Sequence, residues 1–206
     1  MEVGAKTQWL DGALTLNGAL FRTYKKNSQL FRFIPQGFLN AVTVIDRVRV
    51  TGGELELAAR PTRAFTLRGG LGYVDAKITR YAGDPASVGN KAPYVPNWKT
   101  SLDATYEVEL GQDRALVFNG RWDHTGRVYF DAQNSPAARR SPLDILSARA
   151  SYETARWSFS LWGKNLTDKR YNSDVIVIFT GVPLPFTQAV FKAPPRTYGA
   201  ELAMKF

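Results

Sequence analysis

His124 is the one histidine of the chain, and it follows Asp123 directly. An imidazole oriented by a carboxylate is the usual engine of acid–base and nucleophilic chemistry. Here the pair sits on an alternating stretch: Leu116, Phe118, Gly120 and Trp122 against Asn119, Arg121 and Asp123. Alternation sends His124 and Asp123 to opposite faces, so the pattern predicts a strand-end histidine and no enzyme. There is no cysteine, which excludes thiolate metal sites and a disulfide scaffold. One histidine and scattered carboxylates predict that no metal or other cofactor is held by protein side chains. Asn165-Leu166-Thr167 has the form of a glycosylation acceptor, with nothing else to support that use. Lys and Arg number 27 against 18 Asp and Glu, a net charge of +9. Such a balance suits nucleic acid, anionic lipid or an anionic ligand. Nucleic acid asks for a clustered stripe, whereas these positives are dispersed among acids, so no nucleic-acid partner is expected.

The elements that must carry these residues are strands. Leu14, Leu16, Gly18 and Leu20 alternate with Thr15, Asn17 and Ala19, and Phe65 to Tyr73 keeps the same period. Residues 98–109, 116–123, 146–153 and 157–161 repeat it, as do 2–10, a stretch near 43–60, and the final segment. In that last segment Tyr198, Ala200, Leu202, Met204 and Phe206 share one face, and Glu201 and Lys205 the other. The count is about nine strands, several as long as the ~9–11 residues a tilted strand needs to cross a bilayer. No apolar run has the length of a membrane helix.

Connections alternate short and long. Short ones fall at Asp11-Gly12, 61–63, 111–113 and 154–155, and long loops are expected over 26–42, 82–97, 132–142 and 174–194. The predicted fold is all-β: an antiparallel up-and-down transmembrane β-barrel segment with short periplasmic turns and long extracellular loops. Aromatics fall in two bands, Trp9, Phe65, Tyr152, Trp157 and Phe206 near the short turns, and Tyr24, Tyr73, Trp98, Trp122, Tyr129 and Tyr171 near the long loops. Rings with polar tips suit the two membrane interfaces. The lumen-facing Asp103, Glu107, Arg149 and Glu153 are expected to form ladders across strands or against a plug.

The segment WSFSLWGKNLTDKRY resembles the Asn-Leu-x-Asp-x-x-Tyr motif near the end of TonB-dependent receptors of the Gram-negative outer membrane, matched by Asn165, Leu166, Asp168 and Tyr171. PRTYGAELAMKF is similar to that family's terminal strand, from Pro195-Arg196 through Gly199 to Phe206. Residues 52–78 and 89–107 resemble its preceding hairpin and loop-to-strand stretch, and the likeness runs over essentially the whole chain. It implies a C-terminal portion, residues 1–206, of a siderophore-receptor barrel of about 22 strands. No signal peptide, plug or TonB-binding box is legible, so the expectation is a piece that does not transport alone. The alternatives are a passive porin and an autotransporter-type barrel.

The resemblance implies uptake of a ferric siderophore or similar chelate, with iron arriving already chelated. It implies as partners the TonB complex through an N-terminal region, outer-membrane lipid and lipopolysaccharide, and the barrel assembly machinery through the last strand. Such chelates are anionic and partly aromatic, so arginines beside aromatic rings are the expected ligand-binding residues. The candidates are Phe31, Arg32 and Phe33 in the first long loop, Tyr94 and Trp98 in the second, Arg121, Arg127 and Tyr129 at a strand top, and Arg139 and Arg140 in the third. Lipopolysaccharide phosphates and the interface band are the competing uses of the same residues.

Overall fold

The computed structural model describes residues 1–34, 39–177 and 188–205. The strands are β1 (Glu2–Trp9), β2 (Leu14–Ile34), β3 (Leu39–Thr62), β4 (Phe65–Arg80), β5 (Trp98–Gly111), β6 (Arg114–Thr125), β7 (Val128–Tyr129), β8 (Arg139–Arg140), β9 (Leu143–Glu153), β10 (Trp157–Lys164), β11 (Asn172–Val177), β12 (Gln188–Lys192) and β13 (Thr197–Met204). Three short 3₁₀ turns complete the inventory of the described residues. One nine-stranded sheet runs β1-β2-β3-β4-β5-β6-β9-β10-β13, every neighbouring pair antiparallel. β7–β8 and β11–β12 form two small ribbons apart from it. β1 and β13 are the two edges of the sheet and do not pair with each other, so no closed barrel is made.

Register carries one apolar face across all nine strands. Leu20 pairs with Gly53, Gly53 with Tyr73 and Tyr73 with Trp98. Farther on, Leu102 pairs with Trp122, Trp122 with Leu146, Ala150 with Leu161 and Leu161 with Ala200. Because the side-chain period is two, a slip of one residue would turn a whole strand inside out. This face is exposed: Leu20 is 65% and Leu202 73% accessible. An apolar surface of that extent on a monomer marks an interaction with membrane or partner. Phe65 to Tyr73, nine residues, spans it on β4, the length a tilted strand needs to cross a bilayer.

The tight turns follow from local chemistry. Leu10, Asp11 and Gly12 have φ of 54°, 52° and 90°, and Gly111, Gln112 and Asp113 have 75°, 53° and 55°. Left-handed backbone is where Gly, Asp and Asn are least strained.

The expected loop over 26–42 is corrected. β2 and β3 keep pairing through Ser28↔Ile45, Phe31↔Val42 and Ile34↔Leu39, making a hairpin of 21- and 24-residue strands. At ~3.3 Å per residue such strands outrun a ~30 Å hydrocarbon core, so the hairpin projects past the apolar band. Asn27, at φ 53°, bends it. Beyond that point Ile45 turns to the buried side with Val48, while Val42 and Val44 are exposed. Phe31, Arg32 and Phe33 therefore lie on a strand rather than a loop. The expected loop over 174–194 likewise contains the β11–β12 ribbon.

The buried hydrophobic residues are not beneath the sheet centre. They gather at the long-loop end, in one cluster of Ile45, Val48, Ala76, Ile78, Tyr81, Ala92 and Ala132, and another of Val128, Phe130, Ala138 and Val175. These clusters seat the connections that carry the candidate ligand residues.

Candidate functional site

The long connections form one ordered layer. Asn134 is the fastener: its Oδ1 accepts from Lys91 N at 2.9 Å and its Nδ2 donates to Lys91 O at 3.0 Å. Asn90 Nδ2 donates to Ala132 O at 3.0 Å, and Gln133 Nε2 to Asp84 Oδ2 at 2.5 Å. Paired polar groups of this kind hold loops to one another much as a ladder holds strands.

Tyr94 is central to this layer. Its backbone, at φ 64°, donates to Tyr129 O at 2.8 Å. Its ring meets Phe130 edge-on at 5.6 Å, and its hydroxyl donates to Asp174 Oδ1 at 3.1 Å. Burial first, and then the Asp174 carboxylate, push the phenol up to about 12. Phe31 and Tyr94 border a concavity of about 400 Å³ between the β2–β3 hairpin and residues 93–95, with Lys25 and Gln29 among its polar lining. The side chains of Arg32 and Phe33 lie outside the described ones.

β7 and β8 pair Tyr129 with Arg139 and Val128 with Arg140. Val128 is buried, so Arg140 shares the inner side, while Arg139 is exposed. Arg140 lies over the Tyr171 ring at 5.6 Å, and burial lowers its guanidinium pKa. Among the described residues, Arg140 Nε and Asp131 Oδ2 are buried with no hydrogen-bond partner. Arg127 is exposed just after β6.

Other candidates stand elsewhere. Trp98 faces outward against Tyr73, ring centroids 4.6 Å apart, as a member of the interface band. Tyr129 and Tyr171, which the sequence groups with that band, belong instead to the loop layer. Arg121 is on the opposite, polar face of the sheet, paired with Asp123 at 2.7 Å. There it borders a concavity of about 460 Å³ with Glu56, Arg68 and Asp103. The same face carries a ladder: Arg149 reaches Ser160 at 2.8 Å and Glu201 at 3.2 Å, spanning β9, β10 and β13. Asp103 accepts from Asn119 at 3.1 Å.

The motif Asn165–Tyr171 acts as a clasp. Asn165, at φ 52° and buried, accepts from Lys169 N at 2.9 Å and donates to Lys169 O at 3.0 Å. Leu166 N donates to Leu146 O, and its side chain covers Gly163, where an added Cβ would stand 2.6 Å away. Asp168 Oδ1 accepts from Arg196 N at 2.9 Å and its Oδ2 from Arg170 at 3.0 Å. These two partners hold the Asp168 carboxyl below its ordinary range. Residues 165–171 thus tie β9 and β10 to the segment that opens β13. Pro195 is a neighbour of the tied amide, and Gly199 underlies Trp162, whose ring lies 2.7 Å from an added Cβ. Phe206 lies outside the described residues.

His124 does find a carboxylate. Its Nδ1 is 2.9 Å from Asp144 Oδ1, on the neighbouring strand, and Trp122 Nε1 donates to the same oxygen at 3.1 Å. Asp123 is engaged by Arg121 instead. No sequence neighbour signals the His124–Asp144 pair, which is set by β6–β9 register alone. No serine or threonine hydroxyl is found bonded to this imidazole among the described residues. Nor do three or more His, Asp or Glu of the described residues gather as a metal site.

Residues 1–166 match the family model described as TonB dependent receptor-like, beta-barrel. The probable TonB-dependent receptor BfrD of Bordetella pertussis is 29% identical over 175 residues, which is 83% of this chain and 23% of that protein. The probable TonB-dependent siderophore receptor PiuA of Acinetobacter baumannii is 30% identical over 183 residues, 82% of this chain and 23% of PiuA. Its crystal structure superposes with a TM-score of 0.74 over 98% of this chain and 27% of its own. The ferric yersiniabactin uptake receptor FyuA of Yersinia pestis gives 0.77, at 20% identity, over 100% of this chain and 29% of FyuA. The chain thus spans about a quarter of the length of the curated relatives it matches, 23% of each.

Proposed function

The chain belongs to the TonB-dependent receptor-like β-barrel family, and from that premise we propose that it forms wall strands and outer-rim loops of a transporter taking up a ferric siderophore or similar metal chelate. It is a protein of the Gram-negative outer membrane. The observation that carries the reading is the pairing of an unbroken outward apolar face with an ordered loop layer at one end of it. A strand wall of this kind stands in lipid. The layer above it carries Tyr94, Tyr129, Arg139 and Arg140, residue types suited to an anionic aromatic chelate, and that supports the reading.

In this reading nine strands are part of a larger barrel whose further strands pair with β1 and β13. The polar face, with Arg121, Arg68, Asp103 and the Arg149–Glu201 ladder, turns to the lumen and its plug. TonB acts on the whole receptor from the periplasm, the barrel assembly machinery reads the last strand, and lipid and lipopolysaccharide surround the wall. The protein performs no chemistry on its cargo: strands and loops bind and pass it.

The test is uptake of radiolabelled ferric chelates by the parent strain and by one lacking the gene. Energy-dependent uptake of one chelate is expected to disappear on deletion and return on complementation. Unchanged uptake across catecholate, hydroxamate and carboxylate chelates, with loss of passive solute leakage instead, would favour a porin and sink this reading.

A further inference from the structure

The inner face of the sheet carries two kinds of hollow. The one toward the short turns is ionic, bordered by Glu56, Arg68, Asp103 and Arg121. The one at the long-loop end, of about 400 Å³, is apolar. Register fixes its side: Lys25↔Val48↔Ile78 and Val50↔Ala76 face away from Tyr24↔Arg49↔Lys77, which continues the outward rows. Ile45, Val48, Ala76 and Ala92 line it, each no more than 6% exposed and all part of one buried cluster. A hollow set in packed core is preformed, which is the usual form of a small-molecule site.

Its charge is what selects. Lys25 is the one ionised side chain of its lining, and Ser28 and Gln29 are the neutral polar ones. Lys25 Nζ forms no salt bridge among the described residues. Tyr94 gives its hydroxyl to Asp174, so its ring is what remains for the hollow, and Phe31 adds a second ring. The Asp174 carboxylate, 3.1 Å from that hydroxyl, opposes any large anionic charge placed there. A trianionic tris-catecholate seated among these walls would keep most of its charge unpaired, which is costly. A neutral tris-hydroxamate would leave the ammonium and both rings unused.

We propose that the cargo is a ferric chelate of low net charge with an aryl arm and one free carboxylate: the arm lies against Phe31 and Tyr94 in this hollow, and Lys25 takes the carboxylate. The proposal rests on the transport reading, which it narrows to one class of chelate.

Gene-dependent uptake of iron-labelled chelates is measured in cells carrying the intact receptor. The probes are a ferric complex of linked aryl rings with a free carboxylate, its primary amide, a tris-catecholate and a tris-hydroxamate. The parent is expected to take up the first with the lowest half-saturation. Lys25→Gln should raise that value at least about tenfold and abolish the preference for carboxylate over amide. Phe31→Ala should raise it for carboxylate and amide alike, and Phe31→Tyr should not. Lys26→Gln, which removes the same charge from the opposite face, should change nothing. Half-saturation does not depend on how much receptor reaches the surface, so poor folding does not imitate the result. Preference of the parent for the tris-catecholate or the tris-hydroxamate, equal loss in Lys25→Gln and Lys26→Gln, or a Lys25→Gln variant that still prefers the carboxylate overturns the assignment. If no probe shows gene-dependent uptake, the transport reading itself fails, and the chelate class with it.

Discussion

Asn165 closes its turn with both ends of one amide on Lys169. Asn165→Ala leaves a backbone N–H and C=O short of partners, at about 1–3 kcal/mol. The urea midpoint of the folded protein in detergent is expected to fall accordingly, while Asn165→Asp, which keeps one acceptor, falls less. Asp168 gives a pH test. Its folded carboxyl lies below the ordinary range because Arg196 N–H and Arg170 favour the charged form. The stabilisation is complete above the unfolded value and is lost as pH falls through the depressed folded one. Protection of the Arg196 amide from exchange should therefore persist at pH 4 and decay only in stronger acid. Tyr94 runs the other way. Its phenol is raised to about 12, so its bond to Asp174 is fully present below the unfolded value near 10 and fades between there and about 12. Tyr94→Phe is expected to cost about 1 kcal/mol and to loosen the layer at all pH, read by proteolysis of residues 172–192.

The β2–β3–β4 strands are where packing leaves no room. A Cβ on Gly52 would stand 2.3 Å from Tyr73 O and 2.7 Å from the Phe21 ring. The first of these is backbone, which cannot swing aside, so Gly52→Ala is expected to cost about 1–3 kcal/mol. Lower outer-membrane abundance and a lower melting point check it. Gly120→Ala, with nothing within 4 Å of its Cβ, should leave both unchanged. This hairpin is also where the sequence misleads. Pro35 and Gly37 in a run of adjacent apolar residues read as a loop over 26–42. The alternation that survives there is short, and a bend at Asn27 exchanges its faces. Only the continued cross-strand pairing reveals a strand.

For the whole molecule, the two unpaired edges decide the behaviour. β1 and β13 present open backbone groups beside an apolar face, and hydrocarbon does not tolerate unpaired backbone. Given an export signal and expressed as these 206 residues alone, the chain is expected to be degraded or to aggregate. A heat-modifiable, protease-resistant monomer in outer-membrane fractions would show that nine strands suffice. Arginine substitutions separate by place. Arg139→Ala at the exposed rim should weaken chelate uptake about tenfold in half-saturation, whereas Arg149→Ala, which frees Glu201 across three strands, should act on stability.

Alternation of period two was written in the order of residues, and with it came the strand class, the lipid-facing set from Leu14 to Met204, the tight turns at Asp11-Gly12 and 111–113, and the motif at Asn165. Each of these depends on neighbours a few positions apart, where φ/ψ preference and side-chain direction act. The loop layer does not. His124 meets Asp144 at a separation of 20 residues, Lys91 meets Asn134 at 43, and Tyr94 meets Asp174 at 80. Such contacts exist only after every intervening strand has taken its register. The fold therefore decided which of the candidate arginines and tyrosines lie near one another, because it alone brings distant segments to the same end of the sheet.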